Sequence, residues 1–369
     1  MKIGIDASPL MVSSGGIRRY TENLILSLSQ IDSQNDYMLF GAPPRRCPPL
    51  RANFRCDGLT FPFKNWVDLL YLVGSADRID FFHGTNYSSP LLDRRPSVLT
   101  VHDLTVHLFP ESHPWMRRLW HRLLPTLCRR SARIIADSFN TKNDLVRLYG
   151  IPERQIDVIH LAAGPEFKPI EDVARLERVR RRHSLPDSFV LFVGSLEPRK
   201  KLETLIESMS IARKRGVPQH LVIAGDGDRR YRDQLRAVAR RAGLDTERDV
   251  VFTGFVDDAD LPALYSLSEL FVFPSIYEGF GLPPLEAMSC GVPVILPNNS
   301  SFRELYSDCS MMIDEVVAGV LADAIQTVLE DASLRSSLVK KGMERARSRA
   351  WESVAAETLE VYERATAGD

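Results

Sequence analysis

The chain has no apolar run approaching the ~20 residues that a membrane-spanning helix needs, so any membrane contact is expected to be peripheral. Its opening, MKIGIDASPL, lacks the apolar stretch of a signal peptide and reads as a short buried strand. Charge of one sign is missing too: 47 Lys and Arg face 48 Asp and Glu, a formal net charge of −1, so nothing global points to nucleic acid. Cysteine is scarce. The five, at 47, 56, 128, 290 and 309, form no CxxC pair and no metal-like spacing, and are expected as reduced thiols of a cytoplasmic protein. No repeat with a period of 20–50 residues is apparent.

What is present is the composition of a globular protein, 44% hydrophobic and 26% charged, over 369 residues, enough for two domains. Short apolar runs alternate with amphipathic stretches, the pattern of parallel sheets covered by helices. Strands are expected at 2–6, 37–40, 79–83, 97–102, 133–137 and 156–160, then at 189–194, 221–225, 250–253, 270–274 and 292–296. They read as two doubly wound units in tandem. The break falls in LAAGPEFKPIED (161–172), where glycine and prolines interrupt both periodicities. Domains are therefore expected at 1–165 and 166–350. The stretch 351–369 is a helix that either docks on the second domain or crosses back to the first. RRCPPLRAN (45–53) reads as an exposed loop.

YEGFGLPPLEA (277–287) sets two glutamates eight positions apart around glycines and prolines. Gly279 and Gly281 allow backbone conformations closed to other residues, and Pro283 and Pro284 suit a first helical turn. The segment is thus expected as strand, glycine loop and a helix from about Pro283, with Glu286 in its first turn. A helix N-terminus with unpaired N–H groups is an anion site. Acids beside it either cap the helix or hold hydroxyls next to a bound anion, and a sugar nucleotide presents both a diphosphate and hydroxyls.

GSLEPRKKLETLI (194–206), VIAGDGD (222–228) and the long stretch 250–295 that contains the two glutamates resemble the retaining glycosyltransferases of family 4. The similarity extends to GIDASPL…GGIRRYTENL, TVHDLTVHLFP (100–110) and RIIADSFNTKNDL (133–145), though not to 41–75. The resemblance implies a GT-B fold: two Rossmann-like, doubly wound parallel-sheet domains facing a central cleft, with a nucleotide sugar bound mainly by the second.

By that resemblance Lys200 grips the diphosphate, and Arg199 is a second donor whose guanidinium suits two phosphate oxygens. Many members carry arginine directly after the glycine that ends this strand; here the position is Ser195, which supplies no charge. Glu278 accepts from donor-sugar hydroxyls and Glu286 from the ribose diol. The N–H groups around Gly279, Phe280, Gly281 and Leu282 face diphosphate and sugar, and Phe255 and Val256 offer backbone contacts to the base. In the first half, Gly15 and Gly16 open a helix that either receives phosphate or is a turn capped by Ser13 or Ser14. His102 meets the donor sugar near the reaction centre, and Asp103 either orients that ring or binds acceptor. His83, at a similar strand end, is a candidate cleft residue. No metal or other cofactor is expected: 226–228 reads as a turn, and the acids of DDAD (257–260) as helix caps.

The reaction so implied moves a hexose, mannose first, from a GDP-activated donor to a glycan or polyprenyl-linked acceptor in polysaccharide biosynthesis. A UDP-sugar transferase, a turnover-deficient nucleotide-sugar-binding protein and a nucleotide-sugar epimerase are the rivals. WMRRLWHRLLPTLCRRSAR (115–133), with six arginines, two tryptophans and no acid, either lies on anionic lipid at the inner face of the membrane or packs within the first domain.

Overall fold

The computed structural model describes residues 1–12, 15–56, 79–89, 95–113 and 115–367. The chain divides into two compact units, Met1–Ala162 with Ala350–Asp369, and Ala163–Arg349. Among the described residues each unit is built on one all-parallel sheet.

In unit 1 the strands are β1 (Lys2–Asp6), β2 (Asp36–Phe40), β3 (Phe54–Cys56), β4 (Phe81–Gly84), β5 (Ser97–Val101), β6 (Arg133–Ala136) and β7 (Ile156–Val158). Their order is β3-β2-β1-β4-β5-β6-β7. Chain order reverses between β1 and β4, which creates a crevice at their carboxyl ends, the usual ligand side of an open α/β sheet. β3 was not expected. It is a three-residue edge strand whose Cys56 lies opposite Leu39.

The chain doubles back through a turn in which Phe54 N–H donates to the Arg51 carbonyl. Cys47 and Cys56 are joined there in a disulfide, which corrects the expectation of five reduced thiols. Cys128, Cys290 and Cys309 are free and buried, and burial pushes each thiol up to about 12.

The helix Trp351–Thr366 belongs to unit 1, burying Trp351, Val354, Ala355, Thr358, Val361 and Tyr362. It packs on the helix Gly16–Ile31, with Trp351 edge-on to Tyr20 at 6.0 Å. At its far end the Tyr362 hydroxyl lies 2.6 Å from His83 Nδ1, and Arg364 reaches the Asp157 carboxylate, which Arg133 also holds. His83 is fully buried, its other nitrogen 2.8 Å from the Thr100 hydroxyl. Burial, and to a lesser degree its neighbour His102, takes its pKa down to about 3, so the ring is neutral and serves the sheet's interior. The sequence offered it as a candidate cleft residue; the structure instead buries it with both ring nitrogens on interior hydroxyls.

In unit 2 the strands are β8 (Phe189–Val193), β9 (His220–Ala224), β10 (Val250–Gly254), β11 (Leu270–Val272), β12 (Val294–Pro297) and β13 (Met311–Ile313). Their order is β10-β9-β8-β11-β12-β13, so the switch point lies between β8 and β11. β8 and β11 are buried along their whole length, which is why both read as unbroken apolar runs. β13, like β3, is a three-residue edge strand with no strong sequence signal.

Candidate active site

Two loops leave the paired strands β8 and β11 at the unit 2 switch point. The first, after Gly194, makes a single 3-10 turn at Pro198–Lys200 and enters the helix Leu202–Lys214 through Lys201, whose φ of 53° is left-handed. The second runs from Ser275 to Gly281 and enters the helix Leu282–Ser289. Strand pairing brings them together, as Leu270 and Phe271 lie opposite Val190 and Leu191.

Their side chains converge on one carboxylate oxygen. Glu278 Oε1 accepts from Lys200 Nζ at 2.5 Å, from Arg199 Nη1 at 2.7 Å and from the Ser275 hydroxyl at 2.7 Å. Among the described residues no hydrogen bond reaches Glu278 Oε2. Burial disfavours the charged carboxylate, but the two cations and the hydroxyl outweigh it and hold Glu278 down at about 2. The Lys200 ammonium also sits 4.4 Å above the Phe273 ring. Burial and the neighbouring Arg199 lower its pKa against the pull of Glu278, so its charge depends on that carboxylate.

Arg199 is committed elsewhere. Its Nε donates to Glu197 Oε2 at 2.8 Å and its Nη1 also donates to the Tyr277 carbonyl at 2.9 Å. The Ser195 hydroxyl donates to Glu197 Oε1 at 2.7 Å. Where an arginine would bring charge, this chain thus builds a Ser195–Glu197–Arg199–Glu278 chain of hydrogen bonds that fixes the two loops to each other. Glu197 escaped the sequence reading; an acid between serine and arginine at a strand end is the signal that could have found it.

The glycine loop is held from behind. Ser301 donates to the carbonyls of Glu278 and Phe280, Tyr306 donates to that of Gly281, and Glu278 N–H donates to Ser300 Oγ. Gly281, at φ 88°, is the helix's N-cap and makes no side-chain cap. A Cβ there would lie 2.5 Å from Phe302 Cε1. Gly281→Ala is therefore expected to cost about 1–3 kcal/mol, from left-handed strain and overpacking, and to lower the melting temperature. An unchanged melting temperature would show that the loop tolerates a side chain.

The helix begins at Leu282 and has no acid in its first turn, so Glu286 lies just beyond that turn, one residue further in than expected, and does not cap it. Glu286 is buried, and its Oε2 accepts from the Tyr265 hydroxyl at 3.0 Å. Of the base candidates, Phe255 is half exposed beyond Gly254, and Val256 is buried.

The other acid clusters have partners. Asp226 accepts from Gly227 N–H and Arg232, and Asp228 caps the helix Arg229–Arg241 where a plain turn was expected. Asp257 and Asp260 pair with Arg182, and Asp260 with His183, instead of capping by side chain.

In unit 1, Gly15 (φ 123°) and Gly16 begin the helix Gly16–Ile31 after β1, with no side-chain cap and no acid in the first turn. Ser13 and Ser14 lie outside the described residues. His102 follows β5, and the carboxylate against its ring is that of Asp137, 2.7 Å from Nδ1. Asp103 does not orient that ring; its Oδ1 accepts from Thr105 N–H and hydroxyl. Asp137 went unnoticed in the sequence, although it is the first polar residue beyond the apolar run of β6, as His102 is beyond the neighbouring β5.

This fold, two parallel-sheet units each with its own switch point, is that of a class of glycosyltransferases. Residues 175–345 match the model of glycosyl transferases group 1, and residues 14–166 that of Glycosyltransferase Family 4. The chain belongs to this glycosyltransferase family and has its GT-B fold.

It is 30% identical over 282 residues to the O-antigen chain mannosyltransferase B of Escherichia coli, covering 76% of this chain and 73% of that protein. It is also 30% identical over 305 residues, 80% of its length, to the serotype-specific mannosyltransferase WbdA of Escherichia coli, of which it spans 37%. Among solved structures, Anabaena HepE in complex with UDP-glucose matches with a TM-score of 0.78 and 20% identity over 98% of this chain and 99% of that one.

Proposed function

We propose that the chain transfers a mannosyl group from GDP-mannose, with retention of configuration, to a glycan or lipid-linked oligosaccharide in polysaccharide biosynthesis. The observation that carries this reading is the convergence of Lys200, Arg199 and Ser275 on Glu278 Oε1, with Oε2 left to accept from a ligand. Lys200 has three N–H donors and spends one on Glu278, so the others suit diphosphate oxygens. Glu278 Oε2 then takes a sugar hydroxyl, and Glu286, steadied by Tyr265, takes the ribose diol. The N-terminus of the helix Leu282–Ser289 lies between these two acids and suits an anion. The uncapped glycine entry at Gly15 and Gly16 suits phosphate in the same way. Two mannosyltransferase relatives at 30% identity favour mannose over other hexoses.

In the reaction, the bond from the anomeric carbon to the diphosphate breaks as the acceptor hydroxyl bonds to that carbon on the same face. The acceptor proton passes to the leaving phosphate oxygen. Lys200 offsets the charge growing on that phosphate, so the charge role that a metal would fill falls to protein groups. The test is release of nucleoside diphosphate from GDP-mannose in the presence of acceptor glycans. Binding without turnover across a broad donor panel would favour a binding protein, and conversion without acceptor an epimerase. A UDP-sugar is the rival donor, since HepE was solved with UDP-glucose.

The acceptor reading includes an anionic membrane. Pro125 splits the basic stretch into the helices Trp115–His121 and Leu124–Arg130. Trp115, Met116, Leu119 and Leu123 are exposed on it, as are Arg118, Arg122, Arg129 and Arg130. No helix among the described residues is long and apolar enough to cross a membrane. Each cation near an anionic surface contributes about 1 kcal/mol, so the chain is expected to sediment with anionic vesicles at low salt. Trp115→Glu with Arg118→Glu should release it. Equal sedimentation of wild type and variant would place the contact elsewhere, and none at all would remove the membrane from the account.

A further inference from the structure

Both nitrogens of the buried His102 ring face oxygens, one of a carboxyl group and one of a backbone carbonyl. Nδ1 lies 2.7 Å from Asp137 Oδ2 and Nε2 lies 2.9 Å from the Thr85 carbonyl. A neutral imidazole has one N–H, so one of these short contacts would set lone pair against lone pair. The alternative is a protonated Asp137 that donates to a neutral ring.

We propose that Asp137 is a positioning residue that holds His102 as a doubly protonated cation, each ring N–H donating to one of these two oxygens. The functional half of the proposal rests on the reading of His102 as a group that meets the donor sugar. The protonation half rests on geometry alone.

The surroundings favour the charged ring. Asp137 ends the run of β6 and is itself 2% exposed, and its Oδ1 has no hydrogen-bond partner among the described residues. Asp103 is the next residue in the chain. Tyr20, from the helix Gly16–Ile31, stands edge-on to the ring at 4.7 Å, and Tyr87, from the loop after β4, at 5.8 Å. His83, in β4, is neutral. Burial lowers the His102 pKa, but the Asp137 charge and hydrogen bond, the Thr85 carbonyl and Asp103 raise it further, and the balance lies above the usual histidine range. The two contacts also fix geometry: with one N–H on Asp137 and the other on the Thr85 carbonyl, the ring cannot turn about its Cβ–Cγ bond without losing both bonds.

For the transferase this makes His102 a fixed positive group instead of a base. A cation fixed in this way can stabilise negative charge on whatever group meets the ring, and cannot take a proton from it. Its charge is present below the raised pKa and is lost as pH rises through it, so activity should fall on the alkaline side of neutrality.

The test has two arms on the full chain. Nitrogen-edited NMR of the histidine rings reports protonation directly. The wild type should show two bound protons on His102 at neutral pH, and Asp137→Asn should show one. A singly protonated His102 in the wild type overturns the proposal, whatever the activity. In the second arm, the alkaline fall in kcat/KM with GDP-mannose should move down by about one to three pH units in Asp137→Asn. Asp137→Glu should keep most of the wild-type profile. A uniform loss at every pH, with the profile unmoved, would mean that Asp137 is merely structural and would sink the functional half. If the donor reading itself is wrong, no variant turns over, yet the ring signals still decide the protonation half. Were Asp137→Asn not to fold, the wild-type ring signals would still decide the protonation half, and the functional half would turn on whether wild-type kcat/KM falls at the pH where the ring loses its second proton.

Discussion

Lys200→Ala should lower turnover about 100- to 1,000-fold, the usual effect of removing one preorganised donor from a site of developing negative charge. The loss should fall on kcat at least as much as on KM, because the phosphate is more negative in the transition state than in the bound donor. Structural damage should be modest. Without Lys200, Glu278 keeps Arg199 Nη1 and the Ser275 hydroxyl on the same oxygen, so the buried carboxylate is not orphaned. Steady-state kinetics with saturating acceptor would measure this. A variant with unchanged kcat would place the diphosphate elsewhere.

The largest effect on stability should come from the other partner. Glu278→Ala leaves the buried Lys200 ammonium without its carboxylate, whereas Arg199 retains Glu197. Stranding a buried charge in this way costs about 3–5 kcal/mol, more than Lys200→Ala does. The pair Lys200→Met with Glu278→Leu removes both charges and should recover much of that loss while leaving no transferase activity. Urea unfolding of the two single variants and the double variant checks this, with the midpoint of Glu278→Ala the lowest. If Glu278→Ala and Lys200→Ala shift the midpoint equally, the asymmetry drawn from Arg199 and Ser275 remaining on Glu278 is wrong.

The parts of this site that were legible in the sequence are those written into short stretches. Apolar runs, one ended by Gly194 and the other by Pro274, marked β8 and β11. The first cations beyond one and the first acid beyond the other were then bound to meet at a switch point. Pro283 and Pro284 marked the helix that carries Glu286, missing its start by one residue. Two kinds of feature stayed hidden. β3 and β13 are three residues long and lie at sheet edges, too short for a period-two pattern to register. Asp137 and Glu197 act through partners that only the folded backbone supplies. Nothing local tells Asp137, just beyond the strand that neighbours β5, from Asp103, which is adjacent to His102 in the chain. Tyr362 is a similar case: its helical face was plain, but its partner His83 lies 279 positions away.

The central claim is that Lys200 holds a diphosphate while Glu278 and Glu286 hold hydroxyls on either side of it. A crystal structure of the chain with intact GDP-mannose tests it most directly. It should show Lys200 Nζ on a diphosphate oxygen, Glu278 Oε2 on a mannose hydroxyl and Glu286 on the ribose diol. A diphosphate bound beyond the reach of Lys200, with the carboxylate pair untouched by the sugar or ribose, would contradict it.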